Sequence, residues 1–376
     1  MFTPLRVGIL GTGRAGQCHA TAYSRLQGVN ITSLWNRTRA KAEKFAASLN
    51  QTNLKIYDHW RDLIQDEQVD AVSITTDPIF RRKPFLEALA NQKHILVEKP
   101  LSLNFCEAHE MSTLAEKTKL VTAISFNWRY SPACQTMRRA LHQQQIGQLL
   151  NTRSDWRLRI SALRSWSSAS GSLREAGSHE FDRIRFLTGC DVKRLICHLR
   201  SYDSSDMINP KKYSTGSETY AWILCELSNQ KLAAFNLGIT LGEPERRIII
   251  SGELGTLILN NDWVTIQKGK QNKNPLILGN EIFTQIQKGN NLNPIRLRIA
   301  EEDKQPSEIL SGQHTWNRLI ADFVTAVRHK DYLHEMVPYL PKISDGLLTQ
   351  EIIKACEISH IEQRWVKLSE IGSQII

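Results

Sequence analysis

Short runs of β-branched and other apolar residues alternate with amphipathic stretches over the first part of the chain. The apolar runs predict buried strands at 5–10, 30–36, 69–76, 94–100 and 120–127. The stretches between them carry apolar residues at helical spacing and predict helices over 15–26, 39–50, 80–92 and 106–118. Regular strand–helix alternation is typical of a parallel sheet covered on both faces. We therefore predict a doubly wound α/β domain over 1–125.

The pattern changes after about residue 126. Helical spacing recurs over 131–147, around 174–182, and over 314–329 and 342–360. Apolar and polar positions alternate, without helices between them, over 193–202, 219–228, 232–240 and 246–261. Residues 267–312 are rich in Asn, Gln, Lys and Gly and predict a loop or an extended hairpin. Because strands that follow one another directly usually pair antiparallel, we predict a second α/β domain over 126–376 with an open, mostly antiparallel sheet.

The sequence GTGRAG, residues 11–16, lies between the first predicted strand and the first predicted helix. Glycines at this spacing allow a tight turn, close approach of the backbone to a diphosphate, and close strand–helix packing. The helix N-terminus adds free N–H groups and a positive dipole. The loop therefore predicts a Rossmann domain that binds a dinucleotide through Gly11, Thr12, Gly13, Arg14, Ala15 and Gly16.

The residue that ends the second strand bears on the choice between NAD(H) and NADP(H). An acid is expected there when NAD(H) is bound, because it accepts the ribose hydroxyl. This chain has Asn36, followed by Arg37 and Thr38. An amide does not repel a 2′-phosphate, and an arginine can pair with it. NADP(H) is favoured and NAD(H) stays possible; a simply solvated arginine is the alternative explanation.

The strand 94–100 ends in Glu98, Lys99 and Pro100, and the strand 69–76 ends in Thr75 and Thr76, followed by Asp77. Ligands bind at the carboxyl ends of strands in sheets of this kind. We therefore expect these five polar residues to face the cofactor. Lys99 there can exchange a proton with a substrate hydroxyl. A surface salt bridge would explain an isolated Glu-Lys-Pro equally well.

The stretch REAGSHEFD, residues 174–182, contains Glu175, His179 and Asp182 at i, i+4 and i+7. In an α-helix these three side chains project from one face. They form either a reaction centre or a buried polar cluster.

A basic segment, residues 152–166, precedes this stretch. If it is a strand, Arg153, Arg157 and Arg159 share one face, since the side-chain period is two. Arginines near the site, together with Arg164, suit a carboxylate, a phosphate or a nucleotide, and Trp156 and Trp166 suit a sugar or another flat ring. A solvated basic sheet face is the alternative.

These motifs together identify a family. The phosphate loop, VDAVSITT, NQKHILVEKPLSLN, WRYSPA, GSHEFD, SGELGTL and DGLLTQEIIKACEIS resemble the glucose–fructose oxidoreductase/inositol dehydrogenase (Gfo/Idh/MocA) family over nearly the whole chain. The resemblance implies that the open sheet forms one wall of the substrate site and often an oligomer interface. It implies that Lys99 and His179 line the reacting carbon and that the Lys99–Pro100 bond is cis. Arg129 and Tyr130 of WRYSPA are further expected substrate contacts.

The chain departs from the family pattern in three places. Glu175 replaces the usual Asp before the catalytic His. In TDPIFR, Asp77 and Pro78 occupy the family's Pro–Asn slots and Arg81 its His slot. SGS at 170–172 weakens the usual glycine pair. These departures indicate an unusual substrate rather than an inactive protein.

The predicted activity is hydride transfer between a nicotinamide and a CH-OH or C=O carbon of a sugar, a cyclitol or a related substrate, neutral or anionic. Lys99 or His179 accepts the substrate proton, and Glu175 or Asp182 orients the imidazole or binds a neighbouring hydroxyl. One alternative is a reductase of an enone, imine or tetrapyrrole, similar to biliverdin reductase. Another is a non-enzymatic regulator that binds a dinucleotide.

Composition narrows the remaining classes. The chain of 376 residues has a net charge of +10, but its basic residues are dispersed and no nucleic-acid-binding motif is present. Its seven cysteines are scattered, which argues against disulfides and zinc. No leader or membrane segment is predicted. We expect a cytoplasmic homodimer or homotetramer that acts on a small molecule, with neither a metal nor a nucleic acid.

Overall fold

The computed structural model describes residues 4–49, 54–159, 171–201, 218–228, 230–240, 244–261, 263–268, 295–297, 312–329 and 337–372. The chain folds into two compact units. The first comprises Met1–Tyr130 and Gln305–Gln350, and the second comprises Ser131–Lys304 and Glu351–Ile376. The sequence-based division at 125/126 places the late segment, residues 305–350, in the second domain, whereas the structure places it in the first unit.

The first unit contains a six-stranded parallel sheet in the order β3-β2-β1-β4-β5-β6. Its strands are β1 (Leu5–Leu10), β2 (Val29–Trp35), β3 (Lys55–Tyr57), β4 (Ala71–Ile74), β5 (His94–Val97) and β6 (Thr122–Ile124). Its first five helices are α1 (Arg14–Ser24), α2 (Arg39–Ser48), α3 (Trp60–Gln65), α4 (Arg82–Ala90) and α5 (Phe105–Glu116). This order confirms the predicted Rossmann topology and brings the ends of β1, β4 and β5 side by side. The short β3 and α3 were not predicted.

Two hydrophobic clusters cover the sheet of the first unit. One is completed by a late helix, α8 (Gln313–Arg328), whose Leu319, Ile320 and Phe323 pack with Val7 and Tyr23. This packing explains why the late segment belongs to the first unit. The sequence shows that α8 is amphipathic but not which core its apolar face covers.

The second unit contains a nine-stranded sheet in the order β14-β13-β12-β11-β7-β10-β9-β8-β15. Its strands are β7 (Leu149–Arg159), β8 (Val192–Arg200), β9 (Tyr220–Leu227), β10 (Leu232–Thr240), β11 (Glu245–Gly252), β12 (Gly255–Asn260), β13 (Trp263–Lys268), β14 (Ile295–Leu297) and β15 (Val366–Lys367). Among these described strands only β7 and β10 pair in parallel. The predicted mostly antiparallel sheet is confirmed, and the predicted segment 246–261 is a hairpin of β11 and β12.

The remaining α-helices among the described residues are α6 (Pro132–His142), α7 (Ser178–Thr188), α9 (Ile343–Glu362) and α10 (Ser369–Gly372). A π-helical turn, Leu173–Gly177, directly precedes α7. Side chains from α7 contact one face of the sheet, whereas the other face exposes Trp222 and Leu224 of β9. In the described part of the chain, no helix combines the length and apolarity that crossing a membrane requires.

Candidate active site

The loop between β1 and α1 has the shape of a phosphate cradle. Gly11 has a φ of +103°, and a Cβ on Gly16 would lie 2.0 Å from the Gly11 carbonyl oxygen, so neither position accepts a side chain. A Cβ on Gly13, in contrast, would meet no atom within 4 Å. The Thr75 hydroxyl donates to the Gly11 carbonyl oxygen at 2.7 Å and fixes the turn. This open, glycine-lined helix N-terminus fits the diphosphate of a dinucleotide.

Asn36, directly after β2, is tied to this loop. Its Nδ2 donates to the Thr12 hydroxyl at 2.8 Å, and its Oδ1 accepts from the Thr38 amide at 2.9 Å. The Arg37 guanidinium lies 5.5 Å from the ring centre of Phe80, which is 48% exposed. Asn36 therefore links the Thr12 hydroxyl of the loop to the Thr38 backbone. Arg37 and Phe80 present a cation and a flat ring on the surface of the first unit.

The end of β5 holds a buried carboxylate next to Lys99. Glu98 Oε1 lies 3.0 Å from His19 Nε2 and accepts from the Trp316 indole N–H at 3.1 Å. Its Oε2 accepts from the Lys99 backbone N–H at 3.1 Å. Burial alone would raise the pKa of Glu98, but the hydrogen bond and charge of His19 and the charge of Arg81 lower it to about 2. Glu98 is thus a fixed anion, and the Lys99–Pro100 bond is cis, as the resemblance implied.

Two further predicted cofactor contacts, Thr76 and Asp77, follow β4. The Thr76 carbonyl oxygen accepts from Arg81 Nε at 2.8 Å, and Asp77 precedes a 3₁₀ turn, Pro78–Phe80. Since β1, β4 and β5 are adjacent and parallel, their ends place Gly11, Thr76 and Lys99 along one edge of the sheet.

Arg129 and Tyr130 are both buried in the first unit. Arg129 pairs with Asp345 at 3.1 Å, and the Tyr130 hydroxyl donates to Asp322 at 2.7 Å. Burial, followed by the charge of Asp322, holds the pKa of Tyr130 well above its usual value. These contacts give both residues a role in fixing the 3₁₀ turn Asn127–Tyr130, and their predicted contact with substrate stays a prediction.

In the second unit, His179 lies near the start of α7 and is 7% exposed. Its ring centre lies 5.7 Å from that of Trp156 on β7. Glu175 is half-buried and Asp182 is buried. The expected single face requires Glu175 to lie one regular α-helical turn before His179. Glu175 lies in the π-helical turn instead, so that spacing is not kept.

The turn that carries Glu175 is held at its start by Glu218. The Glu218 carboxylate accepts from the Leu173 amide at 2.9 Å, and the Glu218 carbonyl accepts from the Ser172 amide at 3.1 Å. A Cβ on Gly171 would lie 2.0 Å from the same carboxylate. Sequence analysis missed this contact, because Glu218 is distant in the chain from the turn it caps.

A buried ion pair also lies beside His179. The Glu180 carboxylate accepts from the Ser154 hydroxyl and from the Arg183 guanidinium, and both charged side chains are at most 1% exposed. The Arg183 guanidinium lies 5.5 Å from the ring centre of Trp156. The sequence analysis does not predict this pair. The i, i+3 spacing of Glu180 and Arg183 on the helix that carries His179 is the feature that indicates it.

The arginines of β7 lie on the other face of the sheet from Trp156. Arg157 pairs with Glu245, and Arg153 pairs with Asp155 at 2.9 Å. Residues 156 and 157 are neighbours in a strand, so their side chains point to opposite faces. The expectation that Trp156 and Arg157 both contact the substrate is therefore not supported by the sheet. The side chain of Arg159, and Arg164 and Trp166, lie outside the described residues.

Two family models match this chain, one in its N-terminal part and one in its C-terminal part. A family model described as an oxidoreductase family with an NAD-binding Rossmann fold matches residues 5–126. A model described as the GFO/IDH/MocA C-terminal domain matches residues 134–258.

Curated relatives include sugar and cyclitol dehydrogenases. The chain is 27% identical to an uncharacterised oxidoreductase of Synechocystis sp. over 270 residues, 69% of this chain and 72% of that protein. It is 27% identical to glucose-6-phosphate 3-dehydrogenase of Bacillus subtilis over 199 residues, 50% of this chain and 54% of that protein. It is 25% identical to the scyllo-inositol 2-dehydrogenase (NAD(+)) of Bacillus subtilis over 202 residues, 52% of this chain and 57% of that protein.

Solved structures share the fold over almost the whole chain. A levoglucosan dehydrogenase in complex with NADH and levoglucosan superposes with a TM-score of 0.79 at 18% identity, covering 97% of this chain and 99% of that one. An oxidoreductase domain protein from Kribbella flavida has a TM-score of 0.78 at 20% identity, covering 98% and 100%.

Proposed function

Because this chain belongs to the Gfo/Idh/MocA family of NAD-binding oxidoreductases, we propose that it is a dehydrogenase for a sugar or cyclitol that prefers NADP(H). The position of Lys99 carries the proposal. It follows a buried, ionised Glu98 at the sheet edge that also holds the phosphate loop. The class of substrate is supported by two relatives, the glucose-6-phosphate 3-dehydrogenase and the scyllo-inositol 2-dehydrogenase.

The nicotinamide ring, when bound, donates or accepts the hydride at C4. The chain must then move one proton at the substrate oxygen. Lys99 and His179 are the two candidate groups, and either can take the proton from a hydroxyl during oxidation and return it during reduction. Such proton transfer typically contributes ~10²–10⁴ in rate. The Trp156 ring packs against the His179 ring. Glu175 and Asp182 are candidates for a second contact to the substrate or the imidazole.

The preference for NADP(H) rests on the residues after β2. Asn36 uses both ends of its amide within the chain, so it brings no negative charge to the ribose. Arg37 presents a guanidinium that can pair with a 2′-phosphate, and the exposed ring of Phe80 beside it can contact adenine. NAD(H) is the alternative cofactor, because one relative is a scyllo-inositol 2-dehydrogenase (NAD(+)) and the levoglucosan dehydrogenase structure is a complex with NADH.

The sheet of the second unit bears on the charge of the substrate and on the subunit number. The described arginines of β7 lie on the face of the sheet away from Trp156 and pair with carboxylates, so neutral sugars and cyclitols are expected ahead of anionic ones.

The face of this sheet that α7 does not cover exposes Trp222 by 57% and Leu232 by 48%, which supports a homodimer or homotetramer formed through this face. Sedimentation of the purified protein tests the subunit number. A cytoplasmic location remains a prediction.

The proposal is tested by recording nicotinamide absorbance with NADP⁺ and NAD⁺ against a panel of sugars, cyclitols, uronates and sugar nucleotides. Turnover of a neutral polyol with NADP⁺ is expected. Tight binding of NADPH without turnover of any panel member would favour a dinucleotide-binding regulator. Reduction of an enone, an imine or a tetrapyrrole alone would favour the reductase alternative.

A further inference from the structure

Arg81 is buried at the sheet edge that carries Lys99. It is 5% exposed and lies between the 3₁₀ turn Pro78–Phe80 and α4. Its Nε donates to the Thr76 carbonyl oxygen at 2.8 Å. Its Nη1 donates to the Glu98 carbonyl oxygen at 2.6 Å and also to that of Pro100. The two carbonyl groups contacted by Nη1 are those on either side of Lys99.

We propose that Arg81 is a positioning residue that holds the backbone of Lys99 in place for proton transfer. This inference rests on the proposed function and adds a residue to it. Residues 98 and 100 are both fixed by one guanidinium, and the Lys99 amide is held by the Glu98 carboxylate at 3.1 Å. The Cα of Lys99, from which the side chain extends, is therefore held in place.

Only arginine offers the donors that this arrangement uses. A guanidinium presents several N–H groups in one rigid plane, so it can reach carbonyl oxygens after β4 and after β5 together. A lysine ammonium is a point donor, and an imidazole has two ring nitrogens at most. Arg81 bonds the backbone of the same residue whose carboxylate is buried, and its charge helps to lower the pKa of the Glu98 carboxyl to about 2.

Loss of Arg81 removes three hydrogen bonds that join the end of β4 to the segment after β5. A displacement of ~1 Å at a reacting group can cost about 100-fold in rate. If Arg81 only stabilises the fold, the result is different. Arg81→Ala then lowers the stability of the first unit, while its kcat and the local motion at Lys99 equal those of another variant with the same loss of stability.

Arg6 offers a matched control. It lies in the same sheet and also makes several hydrogen bonds, to both carboxylate oxygens of Asp70 at 2.7 and 3.0 Å and to Gln68 Oε1 at 2.6 Å. Asp70 directly precedes β4, so these contacts lie at the opposite edge of the sheet from Lys99. Arg6→Ala therefore removes an arginine network without touching the Lys99 segment.

The test uses the full-length protein with Arg81→Ala, Arg81→Lys and Arg6→Ala. Amide hydrogen exchange of the peptide that contains residues 97–101 is measured first, because it needs no turnover. Arg81→Ala should accelerate this exchange about tenfold and Arg81→Lys less, whereas Arg6→Ala should leave it within about twofold of the wild type. If Arg81→Ala does not fold, Arg81→Lys and the wild type supply the comparison.

Kinetics supply the second readout. With a substrate from the panel, Arg81→Ala should lose about 100-fold in kcat while the dissociation constant of NADPH changes less than about threefold. Added guanidinium should restore part of the lost kcat. Exchange and kcat that both match those of Arg6→Ala would overturn the inference. A wild type that turns over nothing would instead overturn the proposed function, and hydrogen exchange would still decide the role of Arg81.

Discussion

The Trp156 and His179 rings lie 5.7 Å apart between centres, with their planes inclined by 31°. One residue comes from a strand and the other from a helix, so the contact ties α7 to the sheet of the second unit. The Arg183 guanidinium also lies near the Trp156 ring, and Arg183 is itself paired with the buried Glu180. The candidate acid–base histidine therefore packs against an indole that also contacts the arginine of a buried ion pair.

Replacing Trp156 should slow catalysis more than it weakens cofactor binding. Trp156→Ala removes the surface on which the imidazole rests, and a misoriented base loses rate, by about tenfold or more. Trp156→Phe keeps a ring and should lose less. Trp263→Ala, which removes an exposed indole from β13, is the control and should leave kcat unchanged. Equal kcat values for Trp156→Ala and Trp263→Ala would show that the contact has no catalytic role.

Arg37 should control the choice of cofactor. Loss of a charge-assisted hydrogen bond to a phosphate is worth about 10- to 100-fold, so Arg37→Ala should raise KM for NADP⁺ by that factor and KM for NAD⁺ by less than about threefold. Asn36→Asp should shift the preference further toward NAD⁺, because a carboxylate repels a 2′-phosphate. Arg39 pairs with Glu43 at 2.8 Å and also with Asp58, so Arg39→Ala is the neighbouring control. Parallel changes for both cofactors would argue against an NADP(H) site.

Glu98 should make the first unit acid-sensitive. Its folded-state pKa of about 2 lies below the ordinary 4.5, so its stabilising contribution is present above pH 4.5 and is lost as the pH falls toward 2. The shift corresponds to roughly 3 kcal/mol at neutral pH. Glu98→Gln should therefore be less stable than the wild type at pH 7, and the difference should shrink between pH 5 and pH 3. Urea denaturation across this range measures it; a difference that does not vary with pH would contradict the assignment.

Glu218 should show the opposite pH dependence. Burial raises its pKa, although the Leu173 amide and Arg174 oppose the shift, so its contribution is present below the unfolded-state pKa and is lost as the pH rises. The wild type should therefore lose stability relative to Glu218→Gln between pH 4 and pH 7. Gly171→Ala, which would place a Cβ 2.0 Å from the Glu218 carboxylate, should destabilise the second unit at every pH. Thermal unfolding of the three proteins provides the comparison, and indistinguishable pH profiles for wild type and Glu218→Gln would refute the expectation.

The features that sequence predicted best are those that the backbone itself imposes. Gly11 and Gly16 are required by a positive φ and a close approach, and strand–helix alternation specifies the parallel sheet. Contacts between distant segments were not predictable in the same way: Glu218 caps the Leu173 amide, and α8 packs on the first unit, because tertiary packing decides both. Strand periodicity alone also predicts that the side chains of Trp156 and Arg157 lie on opposite faces of the sheet, because neighbouring residues of a strand alternate.

The proposed reaction is the oxidation of a hydroxyl carbon with Lys99 and His179 as the acid–base groups. The most direct measurement is the rate of nicotinamide reduction by wild type, Lys99→Met and His179→Ala with the best panel substrate, beside the dissociation constant of NADPH for each. We expect that at least one variant loses ~10²–10⁴ in kcat and that all three proteins bind NADPH within about threefold of one another. Wild-type rates in both variants, or no turnover of any substrate by the wild type, would contradict it.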